Sequence, residues 1–394
     1  MKALHSFILL TIITAFFYSC DKSEVESCKP FDNITFEEKW TTSLTDFFEY
    51  KDAKWLDFGN DLLILTYSYG NNIIFVVDKE NGKVKHSMDI PLLLQDDIRK
   101  IKIFVYKNLF VFSYFENIYV CNPYNSAIDI IKPHDMDGKI FVKGNKAFFA
   151  SFQFDTYMDY VMVLDLDTYE IDTVTQKQRS GYQDYRFTSP FVYVSKAKDS
   201  ILYCREKAYG SKNSDQTLIY NLKTKESKII FTKGIESEYF LQDEDDLFFM
   251  GISYFKKLDP YTLDVQWYVK NYPFWIKTLP QYYFIGNDII IFKKDYALSI
   301  KRQTGALKWK HETAGQTGNV YADVKNQILV KDYIFVLYQE QQFYKVINIK
   351  TGNFTGPFCD IPKELNGLAA YSTIDTLYTI SYAKELSKYA AKQK

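Results

Sequence analysis

Short apolar runs rich in Val, Ile, Phe and Tyr recur along this chain, separated by tight polar turns, and their period is that of strands rather than helices. The clearest unit is YALSIKRQTGALKW (296–309). It has an apolar strand, a turn containing Gly305, and a second strand carrying Trp309. The unit recurs as IIFVVDKENGKVKH (73–86), IYVCNPYNSAIDI (118–130), VMVLDLDTYEIDT (161–173), TLIYNLKTKESKI (217–229), YFKKLDPYTLDVQW (254–267) and YKVINIKTGNFTG (344–356). In most copies Asp or Asn closes the first strand, and Gly or a substitute sits in the turn. Asp and Asn hydrogen-bond the turn backbone and Gly supplies a positive φ, so each copy predicts a hairpin.

Another strand precedes each hairpin: 61–67, 109–115, 147–154, 200–206, 247–254, 289–296 and 333–340. A fourth precedes several of these, as at 101–108 and 281–287. Four strands at a period of roughly 40 to 45 residues predict an all-β fold, a β-propeller of four-stranded antiparallel blades. The longer interval between the third and fourth hairpins is filled by QKQRSGYQDYRFTS (176–189), which reads as a polar loop insertion. After the seventh hairpin come three strands lacking a fourth (367–373, 376–382, 386–392), and before the first blade lies one strand lacking three (35–44). The N-terminal strand is therefore expected to complete the last blade and close the ring, which leaves no open sheet edge. That makes eight blades; seven remains the alternative if the C-terminal strands pair differently. Trp40, Trp267 and Trp309 fall in one repeat position and read as packing between neighbouring blades. His86 occupies the same position.

Composition narrows the class. The 33 Tyr and 32 Phe against 16 Gly and 10 Pro suit strands that pack on pleated surfaces. A formal net charge of -1 argues against nucleic-acid binding, which needs a basic excess. Cys28, Cys121, Cys204 and Cys359 are scattered, with no Cys-x-x-Cys pair for zinc or redox chemistry and no pairing fixed by spacing. Cys121 and Cys204 read as strand residues packing as small hydrophobes.

The N-terminus carries an address. Residues 7–18 form an apolar core of signal-peptide length, followed by Phe17-Tyr18-Ser19-Cys20. This resembles the lipobox of bacterial lipoproteins, in the aromatic-tolerant form of Bacteroidetes-type bacteria, and implies diacylation of Cys20 after cleavage. The expected organisation is a signal peptide (1–19), a lipidated tether (20–34) and a propeller domain (35–394). Localisation would be the bacterial outer membrane, held by the lipid anchor, with periplasmic and surface faces both open.

The fragment ALSIKRQTGALKW resembles the repeat of the quinoprotein-type (PQQ-like) β-propellers, in its Ala-Leu, its Thr-Gly turn and its Trp; the other copies are degenerate. That superfamily commonly has eight blades. Its dehydrogenases hold PQQ and calcium and often have a vicinal disulfide, and no adjacent cysteines occur here. Its non-catalytic members include the barrel-assembly lipoproteins of the outer membrane, which share the lipobox, short tether and propeller.

Candidate chemistry is sparse. The run QDEDD (242–246) has contiguous carboxylates, unlike the alternating ligands of an EF-hand loop, and reads as a solvated turn. His86, His134 and His311 are far apart in sequence and suggest no metal site. The most suggestive stretch is NYPFWIKTLPQYYF (271–284), where Tyr272, Phe274, Trp275, Tyr282 and Tyr283 would, if exposed, form a stacking platform for a glycan or a hot spot for a protein. The expectation is a membrane-anchored scaffold that binds an envelope protein, without catalysis, cofactor or metal. A surface receptor for glycan or peptide is the alternative, and a degenerate quinoprotein dehydrogenase the third.

Overall fold

Eight four-stranded antiparallel sheets follow one another along the chain, and every regular element among the described residues is a strand. The computed structural model describes residue 31 and residues 33–393, apart from 45–52, 69–70, 91–100, 134, 154, 179–184, 209–215, 232–239, 251–253, 271–280, 294–295, 313–315, 318–319, 322–323, 339–342, 360–363, 366–368 and 374. The blades span 54–90, 103–131, 136–178, 185–231, 240–270, 281–312, 324–359 and 369–393. A small hairpin (Gln316–Thr317 with Val320–Tyr321) lies between the sixth and seventh.

The eighth blade has only three strands of its own. Its fourth is Ile34–Ser43, which pairs antiparallel with Glu385–Gln393 and carries a bulge between Glu38 and Trp40. The ring is therefore eight-bladed and closed by the N-terminal strand. The seven-blade alternative falls.

Burial explains why the middle strands read as unbroken apolar runs. Each blade is packed on both faces by its neighbours, so Leu62, Leu63, Ile64 and Leu65 in the first blade are all fully buried, as are Phe110, Val111 and Phe112 in the second. Burying such a side chain contributes about 1.5–3 kcal/mol. Fourth strands face solvent and can be polar: Ser227–Phe231 has no fully buried position.

That exposure corrects one expectation. The polar stretch 176–189 is not simply a loop, because its ends belong to the strands Ile171–Gln178 and Tyr185–Val194. Gln176, Lys177 and Gln178 pair with Tyr160, Asp159 and Met158. On a fourth strand polarity is no bar to sheet pairing.

Cys121 and Cys204 are fully buried free thiols in the second and fourth blades. Burial pushes the Cys121 thiol well up. Cys20, Cys28, the signal segment and nearly all of the tether lie outside the described residues, as does the side chain of Cys359.

Candidate interaction surface

Alternate connections in an antiparallel blade emerge at opposite ends of the ring. The turns after the first and third strands share one end. The backbone ties them there, with Lys79 N–H donating to Asn60 O at 3.1 Å, Arg302 to Asn287 O at 2.8 Å and Ile349 to Asp332 O at 2.8 Å. The other connections reach the opposite end. We call these the turn face and the loop face.

The turn face is built from one repeated device. In six of the hairpins joining third and fourth strands, an Asx side chain (Asp78, Asn122, Asp165, Asn221, Asp259 or Asn348) accepts bonds from the turn's backbone amides. The residue four positions on from that Asx has a positive φ: Gly82, Ser126, Tyr169, Lys225, Leu263 and Gly352. The seventh hairpin, with Lys301 in the Asx position, puts Gly305 there.

These turns also receive the preceding blade. Trp40 donates its indole N–H to Lys79 O at 3.1 Å, Trp267 to Arg302 O at 3.2 Å and Trp309 to Ile349 O at 3.1 Å. Each ring lies over a turn glycine: Gly82, Gly305 and Gly352 respectively. His86 reaches Ser126 Oγ at 2.8 Å, so it too docks on the following blade. His311 donates from Nε2 to Gly352 O at 2.6 Å. Where no indole is present, tyrosines reach backward instead. Tyr124 O–H donates to Asp61 at 2.6 Å, and Tyr169 O–H to Asp129 at 2.9 Å. Burial and these acceptors raise both hydroxyls, to about 12.

The acidic run 242–246 differs from its expected role as a solvated turn. Only Glu244 and Asp245 form the turn, and every carboxylate has a cation. Arg302 of the sixth blade meets Asp243 and Asp246 at 2.6 Å each, and Lys257 meets Asp246 at 2.7 Å. Lys196 of the fourth blade lies 3.2 Å from Glu244 and 4.0 Å from Asp245. Burial pushes Asp246 upward, but Lys257 and Arg302 outweigh it and hold its carboxyl below the usual range. A cleft of about 500 Å³ opens beside this node, with Phe284 and Asn287 in its wall. Its charges are spent on joining three blades. Sequence reasoning missed this because Arg302 and Lys196 lie dozens of positions from the run. Among the described residues no group of three His, Cys, Asp or Glu side chains is placed to hold a metal ion.

Of the aromatic stretch, Tyr272, Phe274 and Trp275 lie outside the described residues. Tyr282 and Tyr283 lie on the first strand of the sixth blade and point to opposite sheet faces, so they do not share one platform. Tyr282 is partly exposed and meets Phe284 edge-on at 5.7 Å. Tyr283 packs against the cluster containing Ile290 and Trp309 and bonds to Ser372, and burial raises its hydroxyl.

This is a closed eight-bladed β-propeller. No protein-family model and no curated protein matches the sequence. Solved structures are similar to it at low identity. The Dos1 propeller is 10% identical with a TM-score of 0.53, covering 90% of this chain and 95% of that one. BamB from Moraxella catarrhalis is 10% identical with a TM-score of 0.49, covering 90% and 100%. The Neurospora crassa Pan2 WD40 domain is 9% identical with a TM-score of 0.45, covering 93% and 98%. At such identities the likeness is one of fold alone.

Proposed function

We propose that this chain is a lipid-anchored, non-catalytic β-propeller that acts as a protein-binding scaffold at the bacterial outer membrane, within an assembly or transport complex. One observation carries the reading. The strand that closes the ring begins at Ile34, shortly after the lipobox-like Cys20, so a rigid platform hangs on a short anchored tether. The commitment of the turn-face polar groups to holding blades together supports a structural rather than catalytic role. PQQ and calcium have no part in this reading.

The test is crosslinking in intact cells, then affinity purification from detergent-solubilised membranes and mass spectrometry, with Cys20→Ala alongside. A stoichiometric envelope-protein partner, and release of Cys20→Ala from the membrane fraction, are expected. Recovery of the protein alone would overturn the scaffold reading. Thermal stabilisation by polysaccharide that is lost in Trp275→Ala would then establish the glycan-receptor alternative. Calcium-dependent dye reduction with added PQQ would establish the dehydrogenase.

A further inference from the structure

Among the described residues, seven two-residue hairpins join consecutive strands, and each holds its first residue at a positive φ. That residue is Gly59, Gly144 or Gly286 in three, and Lys107, Glu244 or Lys331 in three more. These six lie on the turn face. The seventh, on the loop face of the second blade, is Phe115, with φ 51°. A bulky aromatic is the wrong residue for the left-handed region, where Gly, Asn and Asp are favoured.

Among the described residues, the Phe115 ring meets no ring beyond its chain neighbour. It is 71% exposed, and its ring contact among the described residues is edge-on to Tyr114 at 4.5 Å. The buried Tyr114 beneath it fixes the tip. The third blade carries a second aromatic at a positive φ on its own loop-face connection, the longer segment 154–157. There Tyr157 sits at φ 54° and is 42% exposed. That turn is braced by Thr156 O–H donating to Gln153 at 3.0 Å, and by the Gln178 amide donating to Thr156 O at 2.8 Å. Two adjacent blades thus hold out aromatic rings on stiffened tips, against local backbone preference. At an exposed ring, unlike at Tyr169, whose hydroxyl bonds to Asp129, or at the buried Leu263, such a conflict marks a functional position.

The shape and charge of the tips select the occupant. A ring standing on a short connection between strands is convex and is buried only by a concave apolar pocket, as interface anchors are. A lipid surface is disfavoured because Glu116 and Asp155, both exposed, place carboxylates beside the two rings. On the turn face, Tyr124 and Tyr169 are taken up with holding blades together, and Tyr261 sits at an ordinary Asx turn. We infer that the loop face of the second and third blades is the docking surface, and that Phe115 and Tyr157 insert into apolar pockets, rimmed by basic residues, on a folded protein partner.

This rests on the scaffold reading, and the test separates the two. Photoreactive benzoylphenylalanine replaces Phe115, Tyr157 or, as a turn-face control, Tyr261 in the full-length protein in its native cells. The expected result is the same protein adduct from 115 and 157 and none from 261. Phe115→Asn should reduce co-purification of that protein at least tenfold, and Glu116→Lys should also weaken it. Phe115→Asn should leave Tm unchanged or raised, because Asn suits the left-handed turn. An adduct from 261 but not 115 overturns the docking face while leaving the scaffold intact. Lipid or glycan adducts at 115 overturn the protein occupant. A fall of several degrees in Tm for Phe115→Asn makes the residue structural and overturns its role. No protein adduct at any position, with no partner on affinity purification, overturns both.

Discussion

Trp309 of the sixth blade lies so close over Gly352 of the seventh that a β-carbon at 352 would stand 2.5 Å from the indole. Trp267 and Gly305 have the same relationship, as do Trp40 and Gly82, at 2.5 and 2.4 Å. Elsewhere the turn residue has a side chain and the facing position has no indole: His86 precedes Ser126, Ile130 precedes Tyr169, Thr173 precedes Lys225 and Ile229 precedes Leu263. Indole and glycine are therefore two halves of one joint, split between neighbouring blades.

The joint makes Gly352→Ala costlier than an ordinary glycine replacement. Gly144 and Gly352 both have positive φ, but nothing lies within 4 Å of a β-carbon at 144. Gly144→Ala should cost about 1 kcal/mol from backbone conformation alone. Gly352→Ala should cost about 1–3 kcal/mol more, from overlap with the indole. In a Trp309→Ala background that excess should vanish. Denaturant unfolding of the four variants checks it as a double-mutant cycle; equal costs at 144 and 352 would dismiss the joint.

The same residues show how far the sequence could be read. The repeat of hairpin and preceding strand is local and periodic, so blades, blade count and the closing strand were all legible. The glycines were legible only as turn residues. Their second reason, an indole from the blade before, is invisible within any one hairpin. The Arg302 node was hidden for the same reason, since Asp246 is separated from it by most of two blades. Polarity at 176–178 misled because hydrophobic pattern reports burial, and a fourth strand is hardly buried.

Arg302 should be the most sensitive charged residue at the junction of the fifth and sixth blades. It serves Asp243 and Asp246 through separate nitrogens and also donates to Asp243 O at 2.9 Å. Its removal strands the Asp243 carboxylate and leaves Asp246 with Lys257 alone. We expect Arg302→Met to cost about 2 kcal/mol, less than the roughly 3–5 of a fully buried pair because the node is partly solvated. Arg302→Lys should recover little, since an ammonium does not reproduce the planar fork. Chemical denaturation measures both. A cost below about 0.5 kcal/mol for Arg302→Met would show the node to be ornamental, as many surface pairs are.

The node also contributes to the acid limb of stability. Asp246 is held below its ordinary value in the folded state, and Asp78 likewise, through the hydrogen bond from Lys85 and the turn amides. The unfolded chain therefore binds more protons than the folded one near and below the ordinary carboxylate value of about 3.9. Stability from these groups is complete above that value and is lost as pH falls through the depressed ones. Tm should be flat from about pH 5 to 8 and fall below about pH 4. Asp246→Asn should lower the plateau and shallow the fall, because the group that titrates is gone. An acid limb of unchanged steepness in Asp246→Asn would assign the loss to other carboxylates.

Ring closure predicts a sharp boundary for N-terminal truncation. Phe31 packs edge-on against Tyr333, Phe335 and Phe358, at 5.2, 5.6 and 5.2 Å, so a chain beginning at Phe31 keeps both this anchor and the closing strand. It should be monomeric with an unchanged Tm. A chain beginning at Thr45 lacks Ile34–Ser43 and leaves the strand Glu385–Gln393 as a bare edge with unpaired backbone groups. It also leaves Gly82 without its indole. That chain should melt lower and self-associate through the edge. Trp40→Ala separates the two effects: it keeps the strand, loses the indole, and should cost about 3–5 kcal/mol while remaining monomeric. Light scattering and thermal unfolding of the three proteins read both quantities. A monomeric Thr45 chain of undiminished Tm would mean that the eighth blade closes the ring without its fourth strand.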